Sequence, residues 1–140
     1  MSEDQSESLP ELFWSVARRL RAATVATLEP FGLAPSHARA LGVIFRRGPI
    51  RPSVLSERLR VSPRAATDVL DALQDHGLIE READPADRRA TIVRLTAEGE
   101  RVGKAIHDAR AAESERVFGE LSVQDREQLR RILTEMAEQE

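Results

Sequence analysis

At 140 residues and 41% hydrophobic, the chain has the size of one domain and the composition of a globular protein. It contains no cysteine, which excludes disulfides, thiolate catalysis and cysteine-ligated zinc. The net charge of −3 announces no polyanionic partner, but the charge is unevenly spread. Between Arg46 and Arg64 stand the arginines 46, 47, 51, 58, 60 and 64 against a single acid, Glu57.

The acidic, polar opening MSEDQSESLP reads as a flexible tail over residues 1–8 and not as a signal peptide. No apolar run approaches the ~20 residues of a membrane span, so no membrane partner and a cytoplasmic location are expected. Leu12, Phe13, Val16, Leu20 and Ala23 follow helical spacing and predict a long amphipathic first helix ending near Pro30. Pro35, Pro52 and Pro63 then stand at three helix starts, where the missing N–H has no partner to lose. The helices behind them run over about 35–46, 52–59 and 63–76; Gly48-Pro49 ends the first and Gly77 ends the last.

Only Arg60-Val61-Ser62 separates the second and third of these, with Ser62 as N-cap, and so tight a joint reads as helix-turn-helix. Leu55, Leu59, Val61, Ala65, Val69, Leu70 and Leu73 are its expected apolar seam. A short strand follows from Leu78, and the stretch DPADRRATIVRLT turns back as a hairpin carrying Arg88 and Arg89 at its tip. Thr96 caps a further long helix, and Ser122 with Asp125 caps a last one. Gly103, inside the former, predicts close helix packing or a bend. The expected fold is mainly α with a small β-hairpin wing. Residues 9–33 form an N-terminal dimerisation helix, 34–95 a winged helix-turn-helix, and 96–140 the C-terminal helices that complete one structural domain.

Catalysis finds no support in these residues. His37, His76 and His107 fall on three different helices, and there is no P-loop, nucleophile elbow or dinucleotide glycine signature. The chain is read as a non-enzyme with no cofactor and no metal site. Double-stranded DNA is the expected partner. In a helix-turn-helix the second helix enters the major groove with its N-terminal residues at base edges, here Ser62, Arg64, Ala65, Thr67 and Asp68. Arginine can fork onto guanine and aspartate can accept from cytosine. The plainer alternative makes Arg64 and Asp68 a surface ion pair. Arg51, Arg58 and Arg60 are assigned to phosphates. Arg88 and Arg89 would reach the adjacent minor groove, whose narrow A·T-rich stretches attract arginine.

The run GLIEREADPADRRATIVRLTAEG, residues 77–99, resembles the wing signature of the MarR (multiple antibiotic resistance regulator) family. The matching positions are Asp87, Arg89, Leu95 and Thr96. The resemblance extends to the long first helix, the winged helix and the two C-terminal helices. It implies a homodimeric transcriptional regulator whose terminal helices interlock, with Asp87 supporting the wing and Arg89 entering the minor groove. Asp68 and Ala72 depart from the family's pattern, where arginines are common, so a relative's operator does not transfer to this chain. The resemblance also implies an effector, often an aromatic acid, bound between the dimerisation helices and the winged helix. Trp14 and Arg18, four residues apart, with His37, are the candidate pocket. The reading is a repressor of a pseudo-palindromic operator, with a small aromatic or anionic effector expected to release it. The alternative is a winged helix that works mainly through protein–protein contacts with weak DNA affinity.

Overall fold

The computed structural model describes residues 6–139; most of the expected tail, residues 1–5, lies outside that range. The elements are α1 (Leu9–Leu28), a 3-10 turn (Glu29–Phe31), α2 (Pro35–Arg47), α3 (Pro52–Leu59), α4 (Pro63–Asp75), β1 (Ile79–Asp84), β2 (Asp87–Leu95), α5 (Ala97–Phe118) and α6 (Val123–Ala137). The helix starts follow from local chemistry. Ser62, Thr96 and Ser122 each accept from the N–H three residues on. Ser8 does the same for Glu11, whose carboxylate accepts from the Ser8 N–H in return, so Ser8 belongs to the helix start.

Helix α4 ends in a Schellman motif. The N–H of Gly77 donates to Gln74 O and that of Leu78 to Leu73 O, with Gly77 at φ +72°. Helix α3 ends the same way, Arg60 N–H to Glu57 O and Val61 N–H to Ser56 O, but the left-handed position is held by Arg60 at φ +55°. A side chain there costs what glycine would not.

The hydrophobic core is centred on the winged helix and completed by Leu28 of α1 and by Val102 and Ile106 of α5. Leu41 and Ile44 of α2, Leu55 of α3, Leu70 and Leu73 of α4, and Val93 of β2 are fully buried. Ala66 supplies a buried position on α4, whereas Val61 of the expected seam is 38% exposed and Ala65 is half-buried. The two strands are antiparallel, pairing Ile79 with Leu95 through Ala83 with Thr91. Ile50 adds a one-residue bridge to β2, exchanging both backbone hydrogen bonds with Val93 at 2.8 and 2.9 Å.

Helix α5 packs against α1 and α2. Two of its glycines explain how closely it can approach. A Cβ on Gly103 would meet Phe45 Cδ2 at 2.9 Å, and one on Gly99 would lie 2.0 Å from Leu78 O. Thr96 closes the same corner, donating to Gly77 O at 2.6 Å while its hydroxyl oxygen accepts from Gly99 N–H at 3.0 Å. The outer helices are poorly covered. Only Leu28, at its C-terminal end, is buried in α1, and no residue of α6 is. Leu9 and Val123 are each 80% exposed, and Leu12, Phe13, Val16, Ile132 and Met136 are exposed as well. No helix among the described residues is long and apolar enough to cross a membrane.

Candidate nucleic-acid interface

Ser62, Arg64, Thr67 and Asp68 are exposed along the first turns of α4. The Ser62 oxygen is occupied as a cap, accepting from Ala65 N–H at 3.1 Å, so its hydroxyl proton is what it can offer outward. Thr67 donates its hydroxyl to Pro63 O at 3.0 Å, leaving an acceptor lone pair and a methyl group for a base edge. Among the described residues Arg64 and Asp68 form no ion pair with each other or with any neighbour, so the plain surface pair is not made. Both are left with unspent hydrogen-bonding groups.

The wing turn itself is Pro85-Ala86, and the strand register slips between Ala83 and Asp84, where Asp84 faces Asp87 and Ala83 faces Thr91. Arg88, Arg89 and Ala90 therefore sit in a bulge just beyond the turn, one step from the tip position expected for the arginines. Asp87 accepts the backbone N–H of Arg89 at 3.1 Å, an Asx turn that fixes the arginine's main chain and not its guanidinium. The side chains of Arg88 and Arg89 are exposed and, among the described residues, unpaired.

Three other charged residues of the wing, Arg81, Asp84 and Arg94, are paired within the chain. Arg94 Nε pairs with Glu82 at 2.6 Å across the hairpin. Arg81 reaches from β1 to α4, donating to Asp71 Oδ1 at 2.7 Å and to the Gln74 amide oxygen. Asp84, 7% exposed, takes Arg51 Nε at 2.8 Å and Ala86 N–H at 2.9 Å. The Ala86 N–H first, and Arg51 second, hold its carboxyl below the ordinary aspartate value.

Arg51, assigned from sequence to phosphate, thus has its guanidinium on a carboxylate while its side chain stays 43% exposed. Arg58 and Arg60 are exposed and unpaired among the described residues. The long-range partners Arg51–Asp84 and Arg81–Asp71 escaped the sequence reading. The one signal for the former was a cation at a helix N-terminus, the wrong sign for the helix dipole.

The candidate effector residues are not gathered. Trp14 and Arg18 lie exposed on α1, where Trp14 meets Phe13 edge-on at 6.0 Å, and His37 is half-buried near the start of α2. Two concavities among the described residues lie elsewhere. One, between α5 and α6, is lined by Phe118, Arg126, Leu129 and Leu133 among others. The smaller, between α2 and α5, is lined by Phe45, Arg46, His107 and Arg110 among others. The three histidines stay apart. The His76 ring lies against Ala72 O at 2.8 Å, and that of His107 is 5.9 Å from Phe45.

Residues 31–90, from the turn after α1 to the wing bulge, match the family model described as MarR family. The helix-turn-helix and wing of this chain thus resemble the MarR family over 60 of its 140 residues. The HTH-type transcriptional repressor MdtR of Bacillus subtilis is 29% identical over 100 residues, which is 71% of this chain and 62% of that protein. The MepR–DNA complex of S. aureus shares the fold with a TM-score of 0.81 at 20% identity, covering 94% of this chain and 98% of the other. Bordetella bronchiseptica BpsR, whose DNA binding is regulated by 6-hydroxynicotinic acid, shares it with a TM-score of 0.81 at 20% identity over the whole of both chains. The matched residues hold α2, α3, α4 and most of the β1–β2 hairpin, which are the helix-turn-helix and wing of a winged helix.

Proposed function

We propose that this protein is a homodimeric, cytoplasmic repressor of the MarR family that binds a pseudo-palindromic operator in double-stranded DNA. Helix α4 reads the major groove through Ser62, Arg64, Ala65, Thr67 and Asp68. Arg89, seconded by Arg88, enters the flanking minor groove, and Arg58 and Arg60 meet phosphates.

The observation that carries this reading is the division of charge. Arg81, Arg94 and Asp84 of the wing are paired within the chain, while Arg64, Arg88 and Arg89 project unpaired from the two elements that approach DNA in this fold. Exposed guanidinium groups without partners in the chain keep their donors free for phosphates and base edges. The repressor name of MdtR and the DNA bound to MepR support the same direction. The exposed apolar faces of α1 and α6 support the dimer, since a second copy related by a two-fold axis would cover both.

The test is base preference in α4 variants. Arg64→Ala should cost about 1–3 kcal/mol and relax discrimination at one base pair. Asp68→Ala should relax it at a cytosine; a uniform rise in affinity would instead mean that Asp68 only repels phosphate. No change in either variant would remove α4 as the reader.

The regulation of BpsR by an aromatic acid supports an effector of that chemistry here. Trp14 and Arg18 present a ring and a guanidinium on the uncovered helix α1, which suits a planar anion once a second chain encloses them. Titrating aromatic carboxylates while following Trp14 fluorescence and DNA binding together should find a compound that changes both. Arg18→Ala should abolish the response and leave DNA binding intact. A normal response in Arg18→Ala would place the effector elsewhere.

A further inference from the structure

Arg51 and Asp84 are 33 residues apart in sequence, and their bond spans two elements that DNA would contact separately. Arg51 is the N-cap residue of α3, yet its side chain makes no cap. Asp84 ends β1, immediately before the wing turn, and is one of three buried polar or charged residues among those described. Next to Arg51, Ile50 is already bonded to Val93 through both backbone groups. The segment 50–51 therefore grips the wing at two points, the backbone of β2 and the carboxylate at the end of β1. A two-stranded hairpin is marginal by itself, so such a grip decides where its tip stands.

We infer that Arg51 and Asp84 are a positioning pair for DNA recognition, holding the wing so that Arg89 meets the minor groove while α4 occupies the major groove. This rests on the DNA-reading role proposed above, and it replaces the assignment of Arg51 to a phosphate. Asp84 sits where a free carboxylate would repel DNA, and Arg51 neutralises it through its Nε–H. Arg81, bonded to Asp71 and Gln74, braces the other side of β1 against α4. The wing and the recognition helix are thereby tied into one rigid reader. Removing Asp84 should weaken binding even though it deletes a negative charge beside a polyanion, the opposite of the simple electrostatic expectation.

Two measurements on the full chain test this. The absence of cysteine lets Glu57→Cys on α3 and Ala86→Cys on the wing turn carry a spin-label pair, diluted into unlabelled chain so that only distances within one chain are read. With Arg51 and Asp84 intact the distance distribution should be narrow. Arg51→Ala and Asp84→Ala should broaden it alike, and the double variant no further.

The second measurement uses duplexes enriched from a random pool by the unmodified protein. Asp84→Ala should bind about tenfold more weakly, the worth of one good arginine contact, with an unchanged salt slope and a lost preference for A·T flanks. Arg51→Lys should recover part of that preference, which a merely unfolded wing would not. Tighter binding by Asp84→Ala overturns the inference. So does a narrow distribution in Arg51→Ala with a salt slope lowered by about 1, which would make Arg51 a phosphate contact. Should the unmodified protein enrich no duplex, the DNA-reading role fails, while the spin-label distances still decide whether the pair holds the wing.

Discussion

Arg88 and Arg89 stand side by side in the wing bulge, and Asp87 accepts the backbone N–H of Arg89. That bond favours Arg89 as the proposed groove residue. Arg89→Ala should weaken DNA binding about tenfold, chiefly through A·T-rich flanks, with no loss of thermal stability, because its side chain is exposed and forms no ion pair among the described residues. Asp87→Ala should do comparable harm by freeing the bulge. Titration of labelled duplex, paired with melting curves, reads both; harm from Arg88→Ala with silence from Arg89→Ala would assign the other arginine.

Asp84 carries a pH signature of its own. Its folded-state value lies below the ordinary 3.8, so its contribution to stability is complete above the unfolded value and is lost as pH falls through the lowered folded one. The gap in unfolding stability between the unmodified chain and Asp84→Asn should be constant above about pH 5 and close progressively on acidification. A gap independent of pH would show that the carboxylate charge is not what matters.

The helices were legible in the sequence to within a residue or two because their ends are written in local chemistry. Pro35, Pro52 and Pro63 open α2, α3 and α4, and Ser62, Thr96 and Ser122 accept the capping bonds expected of them. Gly103 foretold close packing and meets Phe45. What stayed hidden was non-local. Nothing in the neighbourhood of Arg51 says that it will find Asp84, and Ala65 and Ala66 cannot be told apart until the roll of α4 is set by the core. Glu113, buried on α5 and accepting from Thr24 of α1 at 2.7 Å, has nothing in its local sequence to say that it will be buried.

The turn between α3 and α4 adds a test. Arg60 occupies a left-handed position that glycine would take without strain. Arg60→Gly should stabilise the protein by roughly 0.5–1 kcal/mol, the strain relieved less the entropy glycine returns to the unfolded chain. The same change should lower the salt slope of DNA binding by about 1 if Arg60 meets a phosphate. Greater stability with an unaltered slope would leave Arg60 out of the interface.

Taken as a molecule, the chain has two unlike parts. The winged helix, α2 to β2, holds most of the core, completed by Leu28 of α1 and by Val102 and Ile106 of α5, whereas the rest of α1 and α6 hold apolar faces out to solvent. A net charge of −3 is compatible with DNA binding because it is unevenly spread, with six arginines against the single acid Glu57 between Arg46 and Arg64. A two-fold dimer would bury the first feature and point two copies of the second at the same face of a duplex.

The most direct test of the central claim is enrichment of duplexes from a random-sequence pool by the purified full-length protein, followed by sequencing and by binding titrations at several salt concentrations. An inverted repeat should emerge, with half-site centres about one helical turn, roughly 10 bp, apart and A·T-rich flanks where the wings fall. Its affinity should drop steeply with salt as arginine–phosphate contacts release counterions. A pool that stays random, or binding that is indifferent to salt, would contradict it.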